Sequence, residues 1–212
     1  RTFNTPPTRG VDLLRLFREH FADMRFHLEI HPQLLGPAIR DELQLASPGQ
    51  LHVEAGIQTL KPAALRAVGR LDQPERALDG LAFLCSCPGF DTHADLLAGL
   101  PEQGYDDVLQ DVAQLVAIGP AEIQLETLKM LHGTPMREQA AAAGLRFSPE
   151  TPYDVIATNT MCANDLYRCR KLSRLLDITY NHPALQGAFR ATASTPGAIA
   201  DIKALTRTLD ME

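Results

Sequence analysis

At 212 residues and 45% apolar, the chain is long enough for one barrel-like domain, or for a smaller core with an appendage. No apolar run reaches the about 18 residues of a membrane span, and residues 1–10 lack the apolar centre of a signal peptide, so a soluble, cytoplasmic protein is expected. A formal net charge of −6 and no stripe of Lys and Arg disfavour nucleic acid as a partner; the most basic stretch, LYRCRKLSR at 166–174, reads as a solvated helix face.

Residues 8–23 predict an amphipathic helix, with Val11, Leu14, Phe17 and Phe21 at helical spacing. Phe26, Leu28 and Ile30 then alternate with His27, Glu29 and His31, which predicts a strand ended by Pro32. A helix is expected over 33–46, broken by Pro48-Gly49. The second strand spans 50–59, with Leu51, Val53, Ala55 and Ile57 alternating. Helices follow at 62–68, with Pro62 in the first turn, and at 74–84. The third strand is HADLLA at 93–98. The next helix starts at Asp106 or Asp107 and stops at Gly119-Pro120. The fourth strand is AEIQLETL at 121–128. Pro135 opens a helix that runs through the alanines to Gly144.

Strands alternating with helices imply βαβ units, right-handed crossovers and a parallel sheet. Such sheets place ligands at the carboxyl ends of their strands. From Arg146 the rhythm changes: FSPETPY at 147–153 reads as a linker, and 162–180, 183–190 and 197–208 read as helices. The chain thus divides into residues 1–145 and a helical C-terminal region, 146–212. Cys85 and Cys87 lie two apart, Cys162 and Cys169 seven apart. Neither spacing suits zinc or a redox turn, so reduced structural cysteines are expected.

Five short segments in order, EIHP at 29–32, GIQT at 56–59, GR at 69–70, DLLAGLP at 95–101 and KMLHGTP at 129–135, resemble radical S-adenosylmethionine (SAM) enzymes. The similarity is to the C-terminal part of the cobalamin-binding type, related to anaerobic magnesium-protoporphyrin IX monomethyl ester cyclase and oxygen-independent coproporphyrinogen III oxidase. RTFN at 1–4, PYDVIATNT at 152–160 and TYN at 179–181 resemble landmarks of one cobalamin-binding branch. The resemblance implies an α/β fold: a partial TIM-like (β/α)6 barrel of about four parallel strands, plus a C-terminal helical extension. It implies SAM and a 4Fe–4S cluster as cofactors, with cobalamin as a further one on an N-terminal domain, and a small-molecule substrate turned over by radical chemistry such as tetrapyrrole cyclisation or methylation. The Cys-x-x-x-Cys-x-x-Cys that holds such a cluster is not in this sequence. The expectation is therefore a fragment that starts after the second barrel strand, lacks the cluster-binding first strand and is inactive alone.

The resemblance assigns the cofactor-binding residues. Glu29 would meet the SAM amino group; otherwise it is a rim carboxylate. Gln58, after Gly56, has an amide suited to ribose hydroxyls, or it is a satisfied strand-end amide. Thr59 stands where many relatives carry Ser. Arg70, after Gly69, would grip the SAM carboxylate with its guanidinium fork, or it is a surface arginine near Asp72. Asp95, an acid inside a strand, would lie near the ribose, or it fixes the loop holding Gly99 and Pro101. Leu128 and Lys129 are candidates for the adenine. Thr2 and Asn4 would lie near the amino group. His132 carries no assigned role, and His27, His31, His52 and His93 read as strand-rim histidines.

Two other readings use the same residues. One is a complete α/β enzyme whose Glu29, Glu54 and Asp95 bind a divalent metal. The other is a non-catalytic binding module. A fragment is expected to expose an unpaired edge at strand 25–31 and to dimerise or aggregate through it; a complete barrel closes and stays monomeric.

Overall fold

The structure is a computed structural model that describes residues 2–193 and 197–209. Arg1 of the RTFN stretch, and residues 194–196 and 210–212 of the C-terminal region, lie outside the described residues. The chain opens with α1 (Pro7–His20), β1 (Phe26–Ile30), a 3₁₀ turn (Pro32–Leu34) and α2 (Pro37–Gln44). It continues through β2 (Leu51–Gln58), α3 (Pro62–Ala67), α4 (Pro74–Ser86), β3 (Phe90–Ala98), α5 (Tyr105–Ile118) and β4 (Glu122–Thr127). Then come α6 (Pro135–Glu138), β5 (Arg146–Phe147), β6 (Val155–Ala157), α7 (Ala163–Ile178), α8 (Pro183–Ala193) and α9 (Ala198–Thr208).

The first four strands form a parallel sheet in the order β1-β2-β3-β4. Sequential order with a helical crossover between neighbours is the pattern of a (β/α) barrel segment. Strict alternation gives the sheet two unlike faces. Leu28 and Ile30, Val53, Ala55 and Ile57, Ala94 and Leu96, and Ile123 and Leu125 are all buried on one face. Helices α4, α5 and α7 pack there, adding Leu81, Leu84, Leu109, Val112, Leu115, Leu172 and Leu176 to one continuous core. Truncating any of these to alanine would cost about 2–5 kcal/mol. The α1–α2 layer is tied by Glu42, buried between Arg15 (2.6 Å) and Arg18 (2.7 Å); those hydrogen bonds hold its carboxyl below the usual range against the opposing effect of burial.

Several local expectations change. The expected 33–46 helix is divided, because Gly36 sits extended between the 3₁₀ turn and Pro37 at the first position of α2. The helix after Pro135 stops at Glu138, and the alanines form turns closed by Gly144 at φ 67°. The 147–153 linker lies inside an antiparallel β5–β6 ribbon. That ribbon also pairs with the end of β4: Met130 N–H donates to Tyr153 O, and Val155 N–H to Leu128 O, both at 2.9 Å. Helix α5 begins at Tyr105, and Asp107 accepts the Gly104 N–H (2.8 Å).

Both edges of the sheet meet an asparagine amide. At β1, Asn4 Nδ2 donates to His31 O and His31 N–H donates to Asn4 Oδ1, each at 2.9 Å. At β4, Asn181 Nδ2 donates to Ile123 O (3.0 Å) and Ile123 N–H donates to Asn181 Oδ1 (2.9 Å). Each amide reproduces the donor–acceptor pair of a strand residue. Phe3 N–H also donates to Glu29 O (2.8 Å), so the N-terminal segment lies along the carboxyl end of β1. No helix among the described residues is long and apolar enough to cross a membrane.

Candidate functional site

The second sheet face is mostly polar, and its residues are largely half-buried or exposed among the described residues. Every acid of the four strands, Glu29, Glu54, Asp91, Asp95, Glu122 and Glu126, sits on it, and the four strands contain no Lys or Arg. His27, His52 and His93 share this face. At the carboxyl ends of β1 and β2 it opens into a cavity of about 450 Å³, lined by Thr2, Glu29, Gly56, Gln58, Arg70 and Asp72 among others.

Each lining residue has a local cause. Glu29 alternates with buried Leu28 and Ile30, and therefore points to the polar side. On β2 the pairing with β3 slips between Gly56 and Gln58, a bulge. Gln58 takes the left-handed conformation at φ 68°, uncommon for a residue with a Cβ, and its amide folds back over Gly56. A Cβ at Gly56 would lie 3.1 Å from Gln58 Nε2, so the glycine makes room for that amide. After α3, Gly69 at φ 73° ends the helix: Gly69 N–H donates to Arg66 O (3.1 Å) and Arg70 N–H to Leu65 O (2.9 Å). That paired C-terminal motif delivers Arg70 to the cavity one residue later.

Arg70 is held on one side. Its Nε donates to Asp72 Oδ2 (2.6 Å) and its Nη2 to Gly56 O (3.2 Å). His31 Nε2 lies 3.2 Å from Arg70 Nη2 and 3.1 Å from Asp72 Oδ1. Burial pulls the His31 pKa below its ordinary value, with Arg70 acting in the same direction and Asp72 against them. Arg70 is thus both the partner of Asp72 and a wall of the cavity; His31 and Asp72 are members of the site that alternation alone did not single out.

Three of the six assigned residues therefore converge: Glu29, Gln58 and Arg70, with Thr2 beside them. Asp95 lies mid-sheet on the same face, beside Glu54 and with His93 Nε2 3.3 Å away. Burial, followed by the adjoining Glu54 carboxyl, pushes Asp95 up to about 8. Glu54, which meets His27 Nε2 at 2.7 Å, is lowered, chiefly by its hydrogen bond with Asp95. Leu128 and Lys129 are two strands away. Leu128 is buried, and its N–H and C=O are taken by Ala98 O and Val155 N–H. Lys129 pairs with Glu126 (3.0 Å) in a second cavity of about 260 Å³. His132 packs edge-on against Tyr153.

The strand-end loops are braced by two buried residues missed in the sequence. Asp111 of α5 accepts from Thr59 Oγ1 (2.7 Å) and Leu60 N–H (3.1 Å), and burial pushes it up to about 7. Gln103 Oε1 accepts from Gly99 N–H (3.1 Å), and its Nε2 donates to Leu97 O (2.9 Å). Both read as ordinary helix and loop polar residues until their partners are seen. Asp111 was hidden on an otherwise apolar helix face, where an acid between Leu109 and Val112 was the available signal.

An iron–sulfur cluster does not fit the cysteines of this chain. Cys85 is half-buried on α4, Cys87 and Cys169 are buried, and Cys162 is exposed ahead of α7. Burial pushes Cys85 up to about 11, Cys169 up to about 12, and raises Cys87, opposite to what a thiolate ligand needs. Among the described residues no group of three or more His, Cys, Asp or Glu converges to hold a metal ion, including Glu29, Glu54 and Asp95.

The architecture is a partial (β/α) barrel with a helical C-terminal extension, similar in fold to radical SAM enzymes. The chain resembles the C-terminal part of radical SAM enzymes. No family model matches it. It is 30% identical over 133 residues to the heme chaperone HemW of Mycobacterium tuberculosis, covering 60% of this chain and 33% of that protein. It thus spans about a third of that relative's length. In fold it is similar to TsrM, a radical SAM methyltransferase from Kitasatospora setae. The form with tryptophan substrate and a SAM analogue aligns at TM-score 0.55 and 22% identity, over 70% of this chain and 30% of that one. The form with cobalamin and a 4Fe–4S cluster aligns at 0.57 and 23%, over 76% and 34%.

Proposed function

We propose that the cavity at the ends of β1 and β2 holds the amino-acid end of SAM, and that the chain is the SAM-orienting portion of a radical SAM enzyme. The observation that carries this reading is the convergence of Glu29, Gln58 and Arg70 in one cavity. Arg70 offers a guanidinium edge to the carboxylate. Glu29 offers an exposed carboxylate to the ammonium, and Gln58 an amide to the ribose hydroxyls. The nucleoside would extend from this cavity over the polar face toward Asp95, while Leu128 and Lys129, two strands away, would meet only its far end. A reduced 4Fe–4S cluster would give SAM the one electron that splits it into methionine and a 5′-deoxyadenosyl radical; this chain's residues would bind and orient SAM, and the cluster would be held by residues other than its cysteines. Use of cobalamin, and a tetrapyrrole or another metabolite as substrate, belong to the same proposal.

Calorimetric titration of the chain with SAM tests it. Saturable binding is expected, and Arg70→Ala should weaken it by about tenfold or more, the size of a charge-assisted hydrogen bond. No saturable binding, or an Arg70→Ala variant that binds as the unaltered chain does, would overturn the reading.

A further inference from the structure

We propose that Asp72 and His31 are positioning residues that set Arg70 as a carboxylate clasp; this rests on the SAM reading of the cavity. A guanidinium has five N–H donors in a rigid plane. In this structure two hydrogen bonds fix one side of that plane, Nε to Asp72 and Nη2 to Gly56 O, and the His31 ring, whose Nε2 faces Asp72 at 3.1 Å, packs beside them. Nη1 has no hydrogen bond among the described residues, and Arg70 lines the cavity. The anchored side leaves the other for an incoming carboxylate.

The anchor itself is buried. The Asp72 side chain is 9% exposed, against 26% for Arg70, so its charge meets little water and depends on Arg70 and His31. Asp72 spans both partners, one oxygen on each. His31 is in turn fixed through its backbone, by the two hydrogen bonds to Asn4. The order of support runs from the edge of the sheet to the ring, from the ring to the carboxylate, and from the carboxylate to the guanidinium. A long arginine side chain loses considerable rotamer freedom when it binds a ligand. Fixing it beforehand shifts that loss from binding to folding. The effect is specific to the ligand's carboxylate, which separates positioning from general support of the fold.

The test compares SAM with 5′-methylthioadenosine, which carries the nucleoside but neither carboxylate nor ammonium. Asp72→Ala should weaken SAM roughly tenfold and leave 5′-methylthioadenosine unchanged. Asp72→Asn, which keeps the shape and one acceptor, serves if the alanine variant does not fold, and should lose about half of that free energy, roughly threefold. In the Arg70→Ala background Asp72→Ala should have no further effect on SAM, since the two act through one group. If Arg70→Ala weakens SAM while both Asp72 variants bind it normally, the positioning role fails and the SAM reading stands. Equal loss of both ligands in the Asp72 variants also overturns it, since that is a structural effect. If Arg70→Ala itself changes nothing, both proposals fall.

Discussion

At the residue scale, the half-buried Asp95 and the buried Asp111 carry the carboxyls raised furthest from their ordinary range. Asp95 rises from an ordinary 3.8 to about 8, through burial and the adjoining Glu54; Asp111 rises to about 7, through burial. Between the ordinary and the raised value, the folded chain keeps a proton that the unfolded chain has released. Stability therefore falls as pH rises across that window. His31, lowered by burial, acts in the opposite direction below its ordinary 6.5. The comparison that isolates Asp95 is with Asp95→Asn. The variant should gain on the parent as pH rises from 5 to 9, by on the order of 1 kcal/mol or more at the alkaline end, read as thermal midpoints. A constant difference at every pH would show that Asp95 titrates in its ordinary range. The acid itself was visible in the sequence as an oddity inside a strand. Its neighbour was not, because Glu54 is forty-one positions away and only the β2–β3 register brings the two together.

At the element scale, the strands and long helices were legible wherever one periodicity ran unbroken. The Leu51, Val53, Ala55, Ile57 alternation gave β2 and its inward face, and the helix expected over 162–180 is α7. The alanine run after Pro135 misled, because high helix propensity in so short a segment does not sustain a helix without packing. The β5–β6 ribbon was hidden for a related reason: its strands are two and three residues long, too short for alternation to register. Asn4 and Asn181 illustrate a third limit, since an asparagine that completes a strand edge looks like any loop polar residue. Asn181→Ala removes both partners from Ile123, and should destabilise the chain by about 1–3 kcal/mol, measured by urea unfolding. Asn4→Ala should act at the other edge. There it is also expected to raise self-association in sedimentation, because unpaired strand edges recruit one another. An unchanged sedimentation profile would mean that Phe3 and its neighbours guard that edge without the amide.

On the scale of the whole molecule, strand order and βα alternation were readable, and so was the cavity's place at the strand ends. Three site residues were placed together by their motifs. Leu128 and Lys129 were named from the resemblance alone, and they lie against the β5–β6 ribbon, a neighbour that no local pattern announced. The two sheet faces differ sharply in what a substitution does. Glu122 and Gln124 are exposed on the polar face, and exchanging either for alanine should move stability by no more than about 0.5 kcal/mol. Ile123, between them, is fully buried, and its alanine variant should lose about 2–5 kcal/mol. Chemical denaturation of the three variants reads the contrast directly.

That division has an evolutionary consequence. The apolar face and its helices carry the free energy of folding, while the open face holds every charge of the strands. Residues on the open face are therefore free to vary at little cost to the scaffold. Lineages that keep one core can trade carboxylates, imidazoles and amides across this wall, and so change what they hold, while the thermodynamic barrier to each trade stays low.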